Sequence, residues 1–149
     1  MFNMSKTCKI TPAILPSEGV AAATDLTGAI LDMQGYESVL MVVTFGVITG
    51  AAVTSIKAQQ DTAIAMGTAA DLLGTGQTIA DDDDDETFYI DLHRPMERYV
   101  RLYIDRATQN AVVSAAWYIQ YNGGALKMPV THASGVSGEF HSEPAEGTA

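Results

Sequence analysis

Residues 38–48 read SVLMVVTFGVI, and this stretch decides the fold. Side chains alternate across a strand, so Val39, Met41, Val43, Phe45 and Val47 fall on one side and Leu40, Val42 and Ile48 on the other. Both sets are apolar, and the run is rich in β-branched and aromatic residues, as expected of a strand covered on both faces. The interior of a sandwich supplies one cover. The second is expected from an arm or from another protomer.

Working outward, Thr49-Gly50 supplies a turn, and AVTSIKAQQ (52–60) sets Ile56 and Ala58 against Lys57 and Gln59, a strand with one wet face. The spacing predicts that the two strands form a hairpin. ETFYIDL (86–92) alternates Phe88, Ile90 and Leu92 with Thr87, Tyr89 and Asp91, and Pro95 ends it. RYVRLYID (98–105) buries Val100, Leu102 and Ile104 and turns Tyr99, Arg101, Tyr103 and Asp105 outward. A turn at Thr108-Gln109-Asn110 leads into AVVSAAWYIQY (111–121), where Val113, Ala115, Trp117 and Ile119 share one face. With a further strand in TDLTGAILDM (24–33), about six strands at short spacing predict an all-β fold, a β-sandwich or jelly-roll-like core. No segment carries a sustained helical period; TAADLLG (68–74), with Thr68 as cap and Gly74 as stop, is the best single turn.

The ends differ from this middle. Residues 1–23 hold Pro12 and Pro16 without clean alternation, and residues 122–149 are rich in Gly, Ser and Pro. Both read as extended arms flanking a 24–121 core. The C-terminal arm is either a free tail or a segment anchored on another subunit. The anchors expected of the two arms are Ile10, Ile14 and Leu15 on the first and Leu126, Met128, Val130 and Phe140 on the second.

Bulk composition narrows the function. A chain of 149 residues, 47% apolar and 17% charged, builds one core. Its net charge of -10, with eight scattered cations, argues against a direct nucleic-acid partner. The N-terminus lacks a signal-type apolar stretch and no run is long enough to span a bilayer, so no membrane partner and a cytoplasmic site of synthesis are expected. Cys8 is the sole cysteine, which rules out an internal disulfide and a cysteine zinc site.

Candidate chemistry is thin. Asp81 to Asp85 are consecutive, whereas a calcium loop spaces its carboxylates and adds a glycine and a distal glutamate; the run reads as a solvated acidic loop opening a strand. A wet loop gives each carboxylate the same surroundings, which does not divide them into acid and base. His93, His132 and His141 match no zinc motif, no serine stands in a nucleophile elbow, and Gly74-Thr75-Gly76 lacks the lysine of a phosphate loop. No cofactor, metal or enzymatic activity is expected. Trp117, Tyr118 and Tyr121, with Tyr99 and Tyr103, suit a core, an interface or a sugar-binding platform.

The order YESVLMVVTFGVITGAAVTSIKAQQDT, AADLLGTGQTIADDDDDETFYIDL, RYVRLYI and AVVSAAWYIQY, across residues 36–121, resembles small head proteins of tailed bacteriophages, in particular decoration or cement proteins of the capsid exterior. The resemblance implies a β-sandwich or jelly-roll-like core and a homo-oligomer, trimer before dimer. It also implies arms that clasp the major capsid protein, and a place on the outer surface of a virion assembled in the bacterial cytoplasm. Such a structural protein stabilises the shell by bridging capsid subunits. A head-tail component and a carbohydrate-binding β-sandwich module are the alternatives.

Overall fold

The computed structural model describes residues 3–142 and residue 146; the parts of the two expected arms at 1–2, 143–145 and 147–149 lie outside the described residues. A short helix, α1 (Met4–Thr7), precedes ten strands: β1 (Lys9–Ile14), β2 (Leu26–Thr27), β3 (Leu31–Asp32), β4 (Tyr36–Ile48), β5 (Val53–Asp61), β6 (Ala70–Asp71), β7 (Gln77–Ile79), β8 (Thr87–His93), β9 (Tyr99–Ala107) and β10 (Ala111–Gly123). The fold is an all-β sandwich of antiparallel strands. One sheet runs β1-β10-β4-β8. The other is built on β9 and β5, with the short β2 and β3 beside β9 and β6 and β7 beside β5.

The strand read as doubly apolar, β4, is an inner strand of the first sheet. Val39, Met41, Val43 and Phe45 point into the core at no more than 1% exposure, while Leu40 and Val42 lie half-buried on the opposite face. Facing them across the core, β5 and β9 contribute Ile56, Ala58, Val100, Leu102 and Ile104. Phe45 and Phe88 meet edge to face, with centroids 5.9 Å apart.

Three local expectations change. The β4–β5 pair is no hairpin: β4 pairs with β8 and β10, β5 with β6, β7 and β9, and the Thr49-Gly50 corner carries the chain from one sheet to the other. Both strands need a buried face, and crossing the core gives each one. In β10, register shifts between Ala111 and Ala115 advance the alternation by one residue, so Val113 faces inward, followed by Ala116, Tyr118 and Gln120, and Trp117 and Ile119 face out. Segment 24–33 splits into β2 and β3. Between them the Gly28 N–H bonds to the Leu102 carbonyl and the Ala29 N–H to the Ala13 carbonyl, so the chain leaves β9 to touch β1 and returns to β9. A Cβ on Gly28 would collide with the Tyr118 hydroxyl, which explains the glycine.

The boundary expected at residue 24 also shifts. Lys9–Ile14 is an edge strand paired with β10 from Lys9↔Gln120 to Ile14↔Ala116, and belongs to the body. Its alternation is broken by Pro12, which a sheet edge tolerates because no ladder bond is lost there, and by a register shift between Pro12 and Ile14. At the other end, β10 continues to Gly123 before a single 3-10 turn, Ala125–Lys127. The following residues return to the molecule's own N-terminal segment, where the Val130 N–H bonds to the Lys6 carbonyl (3.0 Å) and the Ala133 N–H to the Ile10 carbonyl (3.1 Å).

Two side chains tie the layers. Tyr118, fully buried, crosses from the first sheet to accept the Leu102 N–H of the second at 2.8 Å; burial pushes its phenol well above the usual tyrosine range. Arg106 is 4% exposed and donates to the carbonyls of Val20, Thr24 and Ala111, fixing the incoming chain to the start of β10.

Candidate functional site

The site is the outer face of the four-stranded sheet. Register places Ile10, Ile119, Leu40 and Asp91 in one cross-strand row, and Pro12, Trp117, Val42 and Tyr89 in the next. Each row therefore runs from an aliphatic residue on β1 to a polar-tipped one on β8. Trp117 is 39% exposed and Tyr89 64%, with Leu40, Val42 and Ile119 half-buried between them. Contiguous, partly exposed apolar residues of this kind mark a surface that water covers poorly. Among the described residues, neither terminal segment is hydrogen-bonded across the middle of the face.

One end of the face is polar and closed. The Tyr121 hydroxyl donates to Asp91 Oδ1 (2.6 Å), which raises the phenol's pKa; the buried Ser38 Oγ sits 2.8 Å from His93 Nδ1 and accepts from Asn122. Ser38 has no exposure, so this hydroxyl–imidazole contact is out of a substrate's reach. At the other end stands the acidic loop. Asp84 accepts the Ile48 N–H (2.6 Å), Asp81 the Ala51 N–H (2.5 Å) and Asp83 the Ala80 N–H (2.8 Å). Asp81 and Asp84 thus hold the corner between β4 and β5, and Asp83 closes a turn of the acidic loop itself. No group of three or more metal-ligating side chains occurs among the described residues.

The expected anchors separate into distinct places. Ile14 is 1% exposed and belongs to the core, a correction that follows from β1 being a strand of the body. Ile10 lies half-buried on the outer face, its N–H bonded to His132 Nδ1 at 3.1 Å. Ile10, Val130, His132 and Phe140 border one small pocket of about 360 Å3, so the structure brings these three anchors together within one molecule. Leu15, 46% exposed, borders a larger groove of about 810 Å3 with Trp117, Arg101, Glu18 and Thr11. Leu126 is fully exposed on the 3-10 turn, and Met128, 41% exposed, lies beside Tyr36 and Asn122. Sequence reasoning did not name Tyr89 among the face residues of a site and placed Trp117 on one face with Val113, which the structure turns to the opposite side. The signal for Tyr89 was its place in the Thr87, Tyr89, Asp91 alternation; for Trp117 there was none, because the bulge leaves no mark in composition.

No protein-family model and no curated protein matches the chain. Among solved structures, PBSX exported protein XepA aligns with a TM-score of 0.50 and 13% identity, over 95% of this chain and 46% of that one. The chain therefore spans less than half the length of this neighbour, and at such identity the likeness is one of fold. The dimeric latent PorU of Porphyromonas gingivalis aligns more loosely, with a TM-score of 0.43 and 8% identity over 78% of this chain and 13% of that one.

Proposed function

We propose that the protein is a structural component of a tailed-phage virion, a decoration or cement protein that docks on the outer capsid surface against the major capsid protein. The observation that carries this reading is the apolar outer face of the β1-β10-β4-β8 sheet, which β4 builds with Leu40 and Val42 and which nothing among the described residues covers. Binding of this kind needs no reaction: a protein that prefers the mature lattice stabilises that state by mass action, and a symmetric array sums weak contacts. The acidic surface, at a net charge of -10, keeps free copies soluble before they dock.

The test is co-sedimentation of purified protein with phage heads lacking it. The double variant Val42→Lys/Trp117→Lys places two charges on the face and leaves the core untouched. It should keep its circular dichroism spectrum and lose at least ~10-fold in head binding. Undiminished binding would refute docking through this face. Removing residues after Asn122 asks separately whether the C-terminal segment contributes. The corresponding N-terminal truncation is not a clean test, because it strips the edge strand β1.

A carbohydrate-binding module is the second reading, favoured by one feature: Trp117 borders the 810 Å3 groove together with Arg101 and Glu18, an aromatic plane beside charged hydrogen-bonding groups. Saturable glycan binding lost in Trp117→Ala would support it, and a flat glycan array would remove it.

A further inference from the structure

The long edges of the first sheet are treated differently. At β1 the edge carries Pro12 and a register shift, and the C-terminal segment covers it at Ile10 through His132 and Ala133. At β8 the strand runs seven residues, TFYIDLH, without proline or bulge, and among the described residues no strand pairs its outer side. The other sheet ends in strands of two or three residues, too short to template a partner. Pairing with β4 fixes which β8 groups are free. The Glu86 carbonyl and the Arg94 N–H bond to β4, as do the intervening even-numbered positions by register, so Thr87, Tyr89, Asp91 and His93 aim their backbone N–H and C=O outward. The one outward group with a partner is the Tyr89 carbonyl, which accepts from the Gln77 side chain at 2.8 Å.

We infer that β8 pairs antiparallel with β8 of a second copy about a two-fold axis at Ile90, joining two four-stranded sheets into one. The occupant follows from charge and register. In this alignment Tyr89 faces the partner's Asp91 and Thr87 the partner's His93, the hydrogen-bonding positions of an antiparallel pair. Glu86 then stands opposite Arg94 of the second copy, whose guanidinium is already held by Glu37 of its own chain at 3.0 Å and would be shared between the two carboxylates, and symmetry makes the same contact twice. No other register centred on the strand puts Glu86 against that cation. Two chains of charge -10 repel at a distance, so a self-contact needs such a local opposite pair; the one carboxylate within β8, Asp91, accepts from Tyr121 of its own chain and stands opposite Tyr89 of the second copy, and Phe88, Ile90 and Leu92 carry no charge. The joined sheet doubles the apolar outer face, since Tyr89 lies on the seam. Gln77 competes with the incoming strand for the Tyr89 carbonyl.

The experiment is sedimentation equilibrium on the isolated full chain. The expected mass is twice that of one chain. Tyr89→Pro removes an outward N–H without touching the β4 ladder and should yield a folded monomer. Glu86→Arg and Arg94→Glu, made singly, should each weaken dimerisation at least ~10-fold, and the double exchange should restore it to within about threefold. Gln77→Ala should strengthen it. A wild-type monomer or trimer overturns the pairing, as does a dimer that survives Tyr89→Pro or an exchange that fails to rescue. These readouts involve no phage head, so a monomer would sink the pairing and leave head binding to its own test.

Discussion

The two outer faces of the sandwich end in opposite states. On the β5–β9 sheet the outward side chains satisfy one another: Lys57 pairs with Asp71 (2.7 Å) and lies over the Tyr103 ring (4.9 Å), Gln59 bonds to Asp71 and Arg101, and Tyr103 donates to Asp25. On the β4–β10 sheet the corresponding positions are Leu40, Val42, Trp117 and Ile119, which have no such partners. Both faces come from the same period-two alternation and back the same core. The difference lies in what happens at the surface: a polar ladder is finished within one chain, whereas an aliphatic and aromatic face is finished only when another surface excludes water from it.

The largest expected effect comes from the interior that both faces share. Arg106→Ala removes three hydrogen bonds and leaves the carbonyls of Val20, Thr24 and the buried Ala111 without their donor, a loss of about 3 kcal/mol. For a domain of this size that lowers Tm by roughly 10 °C. Trp117, the only tryptophan, sits on the unfinished face and reports on it by fluorescence, while circular dichroism reports on both sheets. The two signals should melt together. Separate transitions would mean that the faces do not share one cooperative core.

Acid and alkali should act mainly on the finished face. The Tyr103 hydroxyl holds Asp25 below the usual carboxylate range, Lys57 does so for Asp71, Arg98 for Asp32, and the Ala63 N–H for Asp61. A carboxylate lowered in the folded state stabilises it above the unfolded value of 3.8, and that contribution is lost as pH falls through the lowered values. Tyr103 runs the other way: its bond to Asp25 pushes the phenol from 10.0 up to about 12. The folded protein keeps a proton that the unfolded chain releases, so this stability is complete below pH 10 and declines as pH rises toward 12. Urea midpoints should form a plateau between these limits. Asp25→Asn should shift phenolate absorbance to lower pH, and an unchanged titration would remove the Tyr103 bond from the account.

Much of this was legible in the sequence. Alternation in 98–105 gave the inward Val100, Leu102 and Ile104 and the outward tyrosines and charges of β9, and the two apolar sets of 38–48 gave a strand with more apolar surface than one core covers. Connectivity was not legible, because a two-residue corner such as Thr49-Gly50 serves a hairpin or a crossing between sheets, and what decides is the whole core. β1 was hidden by Pro12, and the face of Trp117 by register shifts near Val113 that depend on the partner strand. The acidic run was read correctly as a loop opening β8, but its backbone-capping role depends on contacts to residues 48 and 51, some thirty positions away in the chain.

The smallest effect is the sharpest comparison. Lys57→Ala breaks an exposed ion pair and a cation–π contact, and pairs of that kind contribute about 0.5 kcal/mol or less. Val42→Thr, on the opposite face, keeps the branched shape that a strand favours and should cost the isolated chain about 1 kcal/mol or less. By urea denaturation the two variants should be hard to tell apart. Head binding should separate them, because Val42→Thr puts a hydroxyl where a partner would have to desolvate it, while Lys57 lies on a face that needs no partner. Equal losses of binding would mean that the polar ladder is also a contact surface, and the contrast between the faces would fail.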